Sequence, residues 1–200
     1  MLKLLCVVAM LFCCGLVSGH HFHIPRCLPM FGKYPFDEQK LSGDWYVVSK
    51  VLRPMKFLGK VTCEKLHYSA EEVGNLTRIH IEVHTKLDDG SEKIFEGKGQ
   101  AIMPHFASST VMTWKSSDHN KWHGVFGHSV IATDYDSYAL VHGCKEMYEE
   151  KTDVFDKLVI DQIWSRTKII DEGLLKTLKS LMSSLDIADT DWEDIANDSC

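Results

Sequence analysis

The sequence predicts an all-β fold, an antiparallel sandwich or barrel, with one amphipathic helix near the C-terminus. Three observations predict it. Between Gly43 and Arg166, short β-branched or aromatic runs are punctuated by turn residues. One run, Leu76 to Lys86, alternates strictly, with Ile79, Ile81 and Val83 on one face and His80, Glu82 and His84 on the other. After Arg166 the period changes, and Leu174, Leu175, Leu178, Leu181, Met182 and Leu185 recur at helical spacing around Lys176, Lys179 and Ser183.

Taken in order, the strands are expected at Trp45 to Val51, Val61 to Tyr68, Leu76 to Lys86, Ser91 to Met103, Ser109 to Lys115, Val125 to Ala132, Tyr138 to Cys144 and Leu158 to Arg166. Leu87-Asp88-Asp89-Gly90 supplies a hairpin turn after the third. Gly97-Lys98-Gly99, inside the fourth, reads as a bulge or a sharp bend. The helix, over 171–185, opens on Asp171 and Glu172, carboxylates that suit the positive end of its macrodipole. Its single apolar stripe packs on the outside of the sheet structure. The acidic tail, 186–200, has few large apolar residues beyond Ile187, Trp192 and Ile195, so burial alone holds it weakly and Cys200 must tie it.

With 200 residues, 44% of them hydrophobic and 25% charged, the chain can bury one sizeable core, which excludes disordered, collagen-like and coiled-coil classes. A net charge of −6 gives no electrostatic footprint for nucleic acid. Lys3, the apolar stretch Leu4 to Val17 and the small residues of Val17-Ser18-Gly19 read as a secretory signal over 1–19. As a membrane anchor, about 14 apolar residues would rise only about 21 Å against a bilayer core of about 30 Å. No later stretch is long enough to span, so residues 20–200 are expected to form a single secreted, extracellular domain. Removing the leader leaves Cys27, Cys63, Cys144 and Cys200, hence two disulfides with three connectivities open. Asn75-Leu76-Thr77 and Asn197-Asp198-Ser199 are glycosylation sequons.

Little in the sequence marks catalysis. His80 and His84 stand about 13 Å apart along a strand, too far to share an ion. His20, His21 and His23 form the kind of His-rich tract that binds copper or zinc, but on an unstructured terminus, and no metal site is assigned. No nucleophile motif is present, and Gly97-Lys98-Gly99 lacks the length and following helix of a phosphate loop.

Gly43-Asp44-Trp45-Tyr46, Thr133-Asp134-Tyr135 and Ser165-Arg166 occur in an order and spacing that resemble the lipocalins. The run from Thr133 to Val141, and Phe36-Asp37 ahead of Gly43, are similar to the apolipoprotein D and insect bilin-binding protein branch. The resemblance implies an eight-stranded up-and-down barrel, a calyx for one small ligand, with the helix on its wall. It further implies disulfides Cys27 to Cys144 and Cys63 to Cys200. It places the cation of Arg166 over the indole of Trp45 at the closed end, a structural contact.

With faces anchored on those motifs, strand alternation turns Val47, Ser49 and Val51 inward after Trp45. Cys63, reaching an outer tail, turns Glu64, Leu66 and Tyr68 inward. Ile79, Ile81 and Val83 form the inward face of their strand, and Ile160, Gln162 and Trp164 follow from Arg166. His128 and Val130 are counted back from Thr133, with the proviso that a bulge near Gly127 reverses them. By resemblance Ala139 and Val141 face in, between outward Tyr138 and Leu140. Met112 and Trp114 are assigned to the same wall, although no motif fixes their register. Such a lining, apolar with a few polar exceptions, is the composition of a small-molecule pocket.

The function implied is that of a secreted, non-enzymatic carrier of a small hydrophobic ligand, of the bilin, retinoid, sterol or fatty-acid class, with no other cofactor. Two alternatives stand beside it. One is a secreted protein whose open-end loops engage a partner such as a cell-surface receptor. The other is a barrel isomerase using Glu64 or His128 as general acid or base.

Overall fold

The computed structural model describes residues 26–27, 32–53, 59–185 and 191–200. The expected leader, the His20 to His23 tract and Ile187 lie outside the described residues. A short helix α1 (Glu38–Leu41) precedes β1 (Gly43–Arg53), β2 (Val61–Val73), β3 (Leu76–Leu87), β4 (Glu92–Ala101), β5 (Thr110–Ser116), β6 (His119–Thr133), β7 (Tyr138–Glu149) and β8 (Val154–Ser165). Helix α2 (Glu172–Ser184) and a two-residue strand β9 (Glu193–Asp194) follow. Each of β2 to β7 pairs antiparallel with the next, β8 pairs with β1, and β1 with β2 closes the barrel.

All eight expected strands are present. Two hairpins run further than alternation indicates: β6 begins at His119, paired with Ser116, and β7 and β8 extend to the Glu149 and Val154 pair. These tips are largely exposed on both faces, with Trp122, Tyr148, Val154 and Phe155 in solvent among polar residues, so no alternating apolar period marks them.

The glycines of β4 correct the expected bulge. Gly97 and Gly99 stay in unbroken register with both β3 and β5. A Cβ on Gly97 would stand 2.8 Å from the Trp114 ring and 3.0 Å from Met112, and one on Gly99 2.7 Å from Met112. The glycines thus give up side-chain volume to the two bulky neighbours on β5. Register shifts occur elsewhere, in β1 between Val47 and Ser49, in β2 between Val61 and Cys63, and in β6 between Val130 and Ala132.

The motifs close one end of the barrel. Gly43 has φ 110°, a conformation costly for other residues, and its bare Cα leaves room for the Arg166 guanidinium 3.1 Å from where a Cβ would sit. Arg166 lies 3.6 Å above the Trp45 ring and donates to the carbonyls of Asp44, Ser42 and Tyr135. Trp45 Nε1 donates to the Leu41 carbonyl at 2.8 Å, joining α1 to the floor. Asp134 accepts the amides of Asp136, Ser137 and Tyr138, which fixes the β6–β7 turn.

Two apolar clusters lie on opposite sides of the sheet. One fills the barrel around Trp45, Leu66, Ile81 and Trp164. The other packs Leu178 and Met182 of α2 against Val48, Leu140 and Ile163 on the outer face. Asp171 caps α2 by accepting the Leu174 amide at 2.8 Å, so it precedes the first turn rather than joining it.

The disulfides are Cys27–Cys144 and Cys63–Cys200, the connectivity the resemblance implies. Beyond its disulfide the tail is anchored more firmly than its composition indicates. The β1–β2 ladder runs only from Gly43 to Tyr46, and β9 pairs with Ser49 and Lys50. Buried Ile195 donates its amide to Val48 O. Asn197 spans the two strands, donating to Val47 O at 3.0 Å and accepting from Glu64 N at 2.9 Å. The Asn197 amide is therefore fully enclosed, and the folded chain leaves no room for a glycan on it, contrary to the sequon. Asn75 sits exposed in the β2–β3 turn.

Candidate functional site

The barrel interior is filled from the Trp45 floor. Val47, Leu66, Val83, Ala139 and Trp164 are buried in one cluster with Trp45, and the ring centroids of Trp45 and Trp164 are 6.3 Å apart. Tyr68, Ile79, Ile81 and Val130, as alternation places them, and Val141, as the resemblance implies, belong to the same buried cluster. Met112 joins it, with Trp114 and Phe95 packed against it.

Alternation fails on β1. Val48 faces α2 as alternation requires, but the shift that follows keeps Ser49 on the same outer face, its hydroxyl donating to Asp194 Oδ1 at 2.6 Å, and pairs Val51 with Asp161 there. Ser49 and Val51 are therefore not cavity residues, because one extra residue at a bulge reverses every side chain beyond it. The residue that takes the interior position is Lys50.

Lys50 and Glu64 form an ion pair at 2.6 Å with side chains only 2% and 3% exposed. Glu64 Oε1 accepts from Gln162 Nε2 at 3.3 Å, and Oε2 from Thr85 Oγ1 at 3.3 Å. The amide oxygen of Gln162 in turn accepts Trp164 Nε1–H at 3.0 Å. One polar chain thus links four strands, β1, β2, β3 and β8, inside the barrel. Glu64 and Gln162 are expected cavity residues; Lys50 and Thr85 are not. Thr85 continues the alternation of Ile79, Ile81 and Val83 and was readable from it.

His128 is buried with its ring 6.2 Å from Trp164, so the reversal that a bulge near Gly127 would cause does not occur. Burial, reinforced by the neighbouring His142, lowers its pKa to about 4. The imidazole is neutral at physiological pH. Burial likewise pushes the Tyr68 hydroxyl well above its ordinary value, with Glu38 adding to the effect, so the phenol stays protonated. Nearer the open end, Lys145, which pairs with Leu158, holds its ammonium 5.2 Å from the centre of the Phe126 ring.

A concavity of about 600 Å³ lies on the outer wall among His80, Lys98, Gln100, Val111 and Val125. It is open to solvent and on the far side of the sheet from this chain of polar groups. No group of three or more metal-ligating side chains occurs among the described residues.

No known family profile matches the sequence. Individual proteins do. The chain is 30% identical over 202 residues to rat (Rattus norvegicus) apolipoprotein D, covering 98% of this chain and 96% of the relative. The chain belongs to the lipocalin family. Bovine (Bos taurus) apolipoprotein D is 28% identical over 190 residues, covering 93% of this lipocalin and 89% of the relative. Among solved structures, insecticyanin from the tobacco hornworm Manduca sexta superposes with a TM-score of 0.57 at 18% identity over 85% of both chains. Apocrustacyanin C2 gives 0.57 at 17% identity over 81% of both. These likenesses show the shared fold. The relatives are lipocalin binding and transport proteins, not enzymes. No helix among the described residues is long and apolar enough to cross a membrane.

Proposed function

We propose that this lipocalin is a secreted carrier that encloses one small hydrophobic molecule, of the bilin, retinoid, sterol or fatty-acid class, in its barrel. The observation that carries the reading is the interior itself: aliphatic and aromatic walls around a single buried chain of polar groups, the make-up of a pocket that binds by burial and orients by a few hydrogen bonds. Such binding draws about 25 cal/mol per Å² of apolar surface removed from water and needs no catalytic group. The ligand contacts proposed are the interior residues Val47, Glu64, Leu66, Tyr68, Ile79, Ile81, Val83, His128, Val130, Ala139, Val141, Gln162 and Trp164, with Lys50 and Thr85 added. Secretion is supported by the leader motif and by two disulfides, which persist in oxidising compartments. Asn75, exposed in its turn, is the sequon a glycan can occupy.

Fluorescence titration tests the reading, because Trp164 borders the proposed cavity. Saturable quenching by at least one member of a panel of bilin, retinoid, sterol and fatty-acid ligands is expected. Absence of quenching by the whole panel overturns it. Absorption and mass spectra of natively purified protein identify what it carries.

A further inference from the structure

The interior holds one cation and one anion in contact, Lys50 and Glu64, and that charge balance constrains what can share the space. Glu64 is engaged on both oxygens, by Lys50 and Thr85 on one and by Gln162 on the other. The pair is almost wholly removed from water, so charges brought near it interact far more strongly than at the surface. A ligand carboxylate entering this layer would meet a second carboxylate already matched to the local cation. Two carboxylates would then share one ammonium, and like charges in a dry site exclude one another. Of the two titratable rings beside Trp164, buried His128 is neutral and Tyr68 stays a protonated phenol, so neither supplies positive charge at neutral pH. Among the described residues the other cations on the inward face stand towards the open end: Lys93, paired in register with Thr85 and held 3.0 Å from Asp118, and Lys145, beside Phe126. A hydroxyl or carbonyl meets none of this opposition, because it exchanges hydrogen bonds with the Glu64, Gln162 and Thr85 groups without adding charge.

We propose that the Lys50–Glu64 pair makes the barrel selective for an uncharged amphiphile, with a hydroxyl or carbonyl at its inner end, over a carboxylate of the same shape. The inference rests on the carrier reading and narrows its ligand class. Retinol and retinoic acid differ only in that head group and serve as probes. In tryptophan-quenching titrations of the full mature chain at neutral pH, retinol is expected to bind at least about tenfold more tightly than retinoic acid, a difference of about 1.4 kcal/mol. Glu64→Gln removes the anion and leaves the cation, so that ratio is expected to fall by at least about tenfold or to invert. Equal or tighter binding of the acid by the unaltered protein overturns the selectivity, and needs no variant to fold. An unchanged ratio in a Glu64→Gln protein whose near-ultraviolet circular dichroism is native assigns selectivity elsewhere and also overturns it. Saturable binding of neither probe overturns the present inference, and the wider panel then decides whether the carrier reading fails with it.

Discussion

His128 gives the barrel a defined acid sensitivity. Its pKa falls from 6.5 to about 4 on folding, because burial opposes the imidazolium and nearby His142 adds to the opposition. A folded-state value below the unfolded one means that the unfolded chain takes up the proton first. The contribution of His128 to stability is therefore fully present above the unfolded pKa and is lost as pH falls from 6.5 towards 4. At about 1.36 kcal/mol per pKa unit the whole window is worth about 3 kcal/mol, of which about 2 kcal/mol disappears between pH 7 and pH 5. For a domain of this size that is a fall of about 4 to 8 °C in melting temperature. The assay compares thermal melts at the two pH values for the unaltered protein and for His128→Phe, which keeps a ring beside Trp164 but cannot titrate. The pH-dependent fall should shrink by about that amount in the variant. Asp161, hydrogen-bonded to His142 on the outer face, has its pKa raised by burial and so acts in the opposite sense, gaining stability as pH falls. It is present in both proteins and cancels in the comparison. Equal losses in the two would refute the claim that His128 is dry and neutral.

Lys50→Met should cost about 3 to 5 kcal/mol in urea unfolding by stranding Glu64. The pair Lys50→Met with Glu64→Leu should return to within about 1 kcal/mol of the parent; single costs below about 1 kcal/mol would mean the pair is wet in solution. Gly99→Ala should lose about 1 to 3 kcal/mol and exceed Gly97→Ala, since its Cβ meets the Val111 carbonyl at 2.9 Å whereas Gly97 faces only side chains. The reverse ranking in denaturant melts counts against the packing of Met112 and Trp114 over β4. Cys200→Ser opens a 137-residue loop, for which chain entropy sets an upper figure of about 5 kcal/mol. With β9 and Asn197 still in place, a lower melting temperature and faster proteolysis of the tail are expected, the barrel remaining folded. Identical melting and protease resistance would show that the disulfide contributes nothing.

The parts of this fold that sequence makes legible are those where a period runs unbroken. Ile79, Ile81 and Val83 alternate without interruption, and β3 is regular from end to end. The closed end is readable through Gly43, Trp45 and Arg166, because a positive φ and a stacked cation admit few substitutes. The interior of β1 was not legible: one bulge leaves both Val48 and Ser49 on the outer face and so exchanges Ser49 for Lys50, and no period in the sequence marks it. Gly97 and Gly99 misled because a glycine records missing volume without saying whether the backbone bends or a neighbour needs the room. Asn197 misled for a different reason. A sequon specifies chemistry the backbone permits, whereas its amide is consumed by Val47 and Glu64 across a seam that no local pattern reveals.

Trp45 and Trp164 are held with their centroids 6.3 Å apart and their planes tilted by 47°. Two like chromophores fixed so close share their excited states, and the asymmetric frame gives the pair a single hand. The far-ultraviolet circular dichroism of the folded chain should then carry a two-signed indole band on top of the β-sheet signal. Arg166 covers one of the two rings, while the other is hydrogen-bonded to Gln162 and lies beside His128. A guest touching Trp164 alone would shift one transition and leave its twin in place, changing the shape of the band even when the guest absorbs no light of its own.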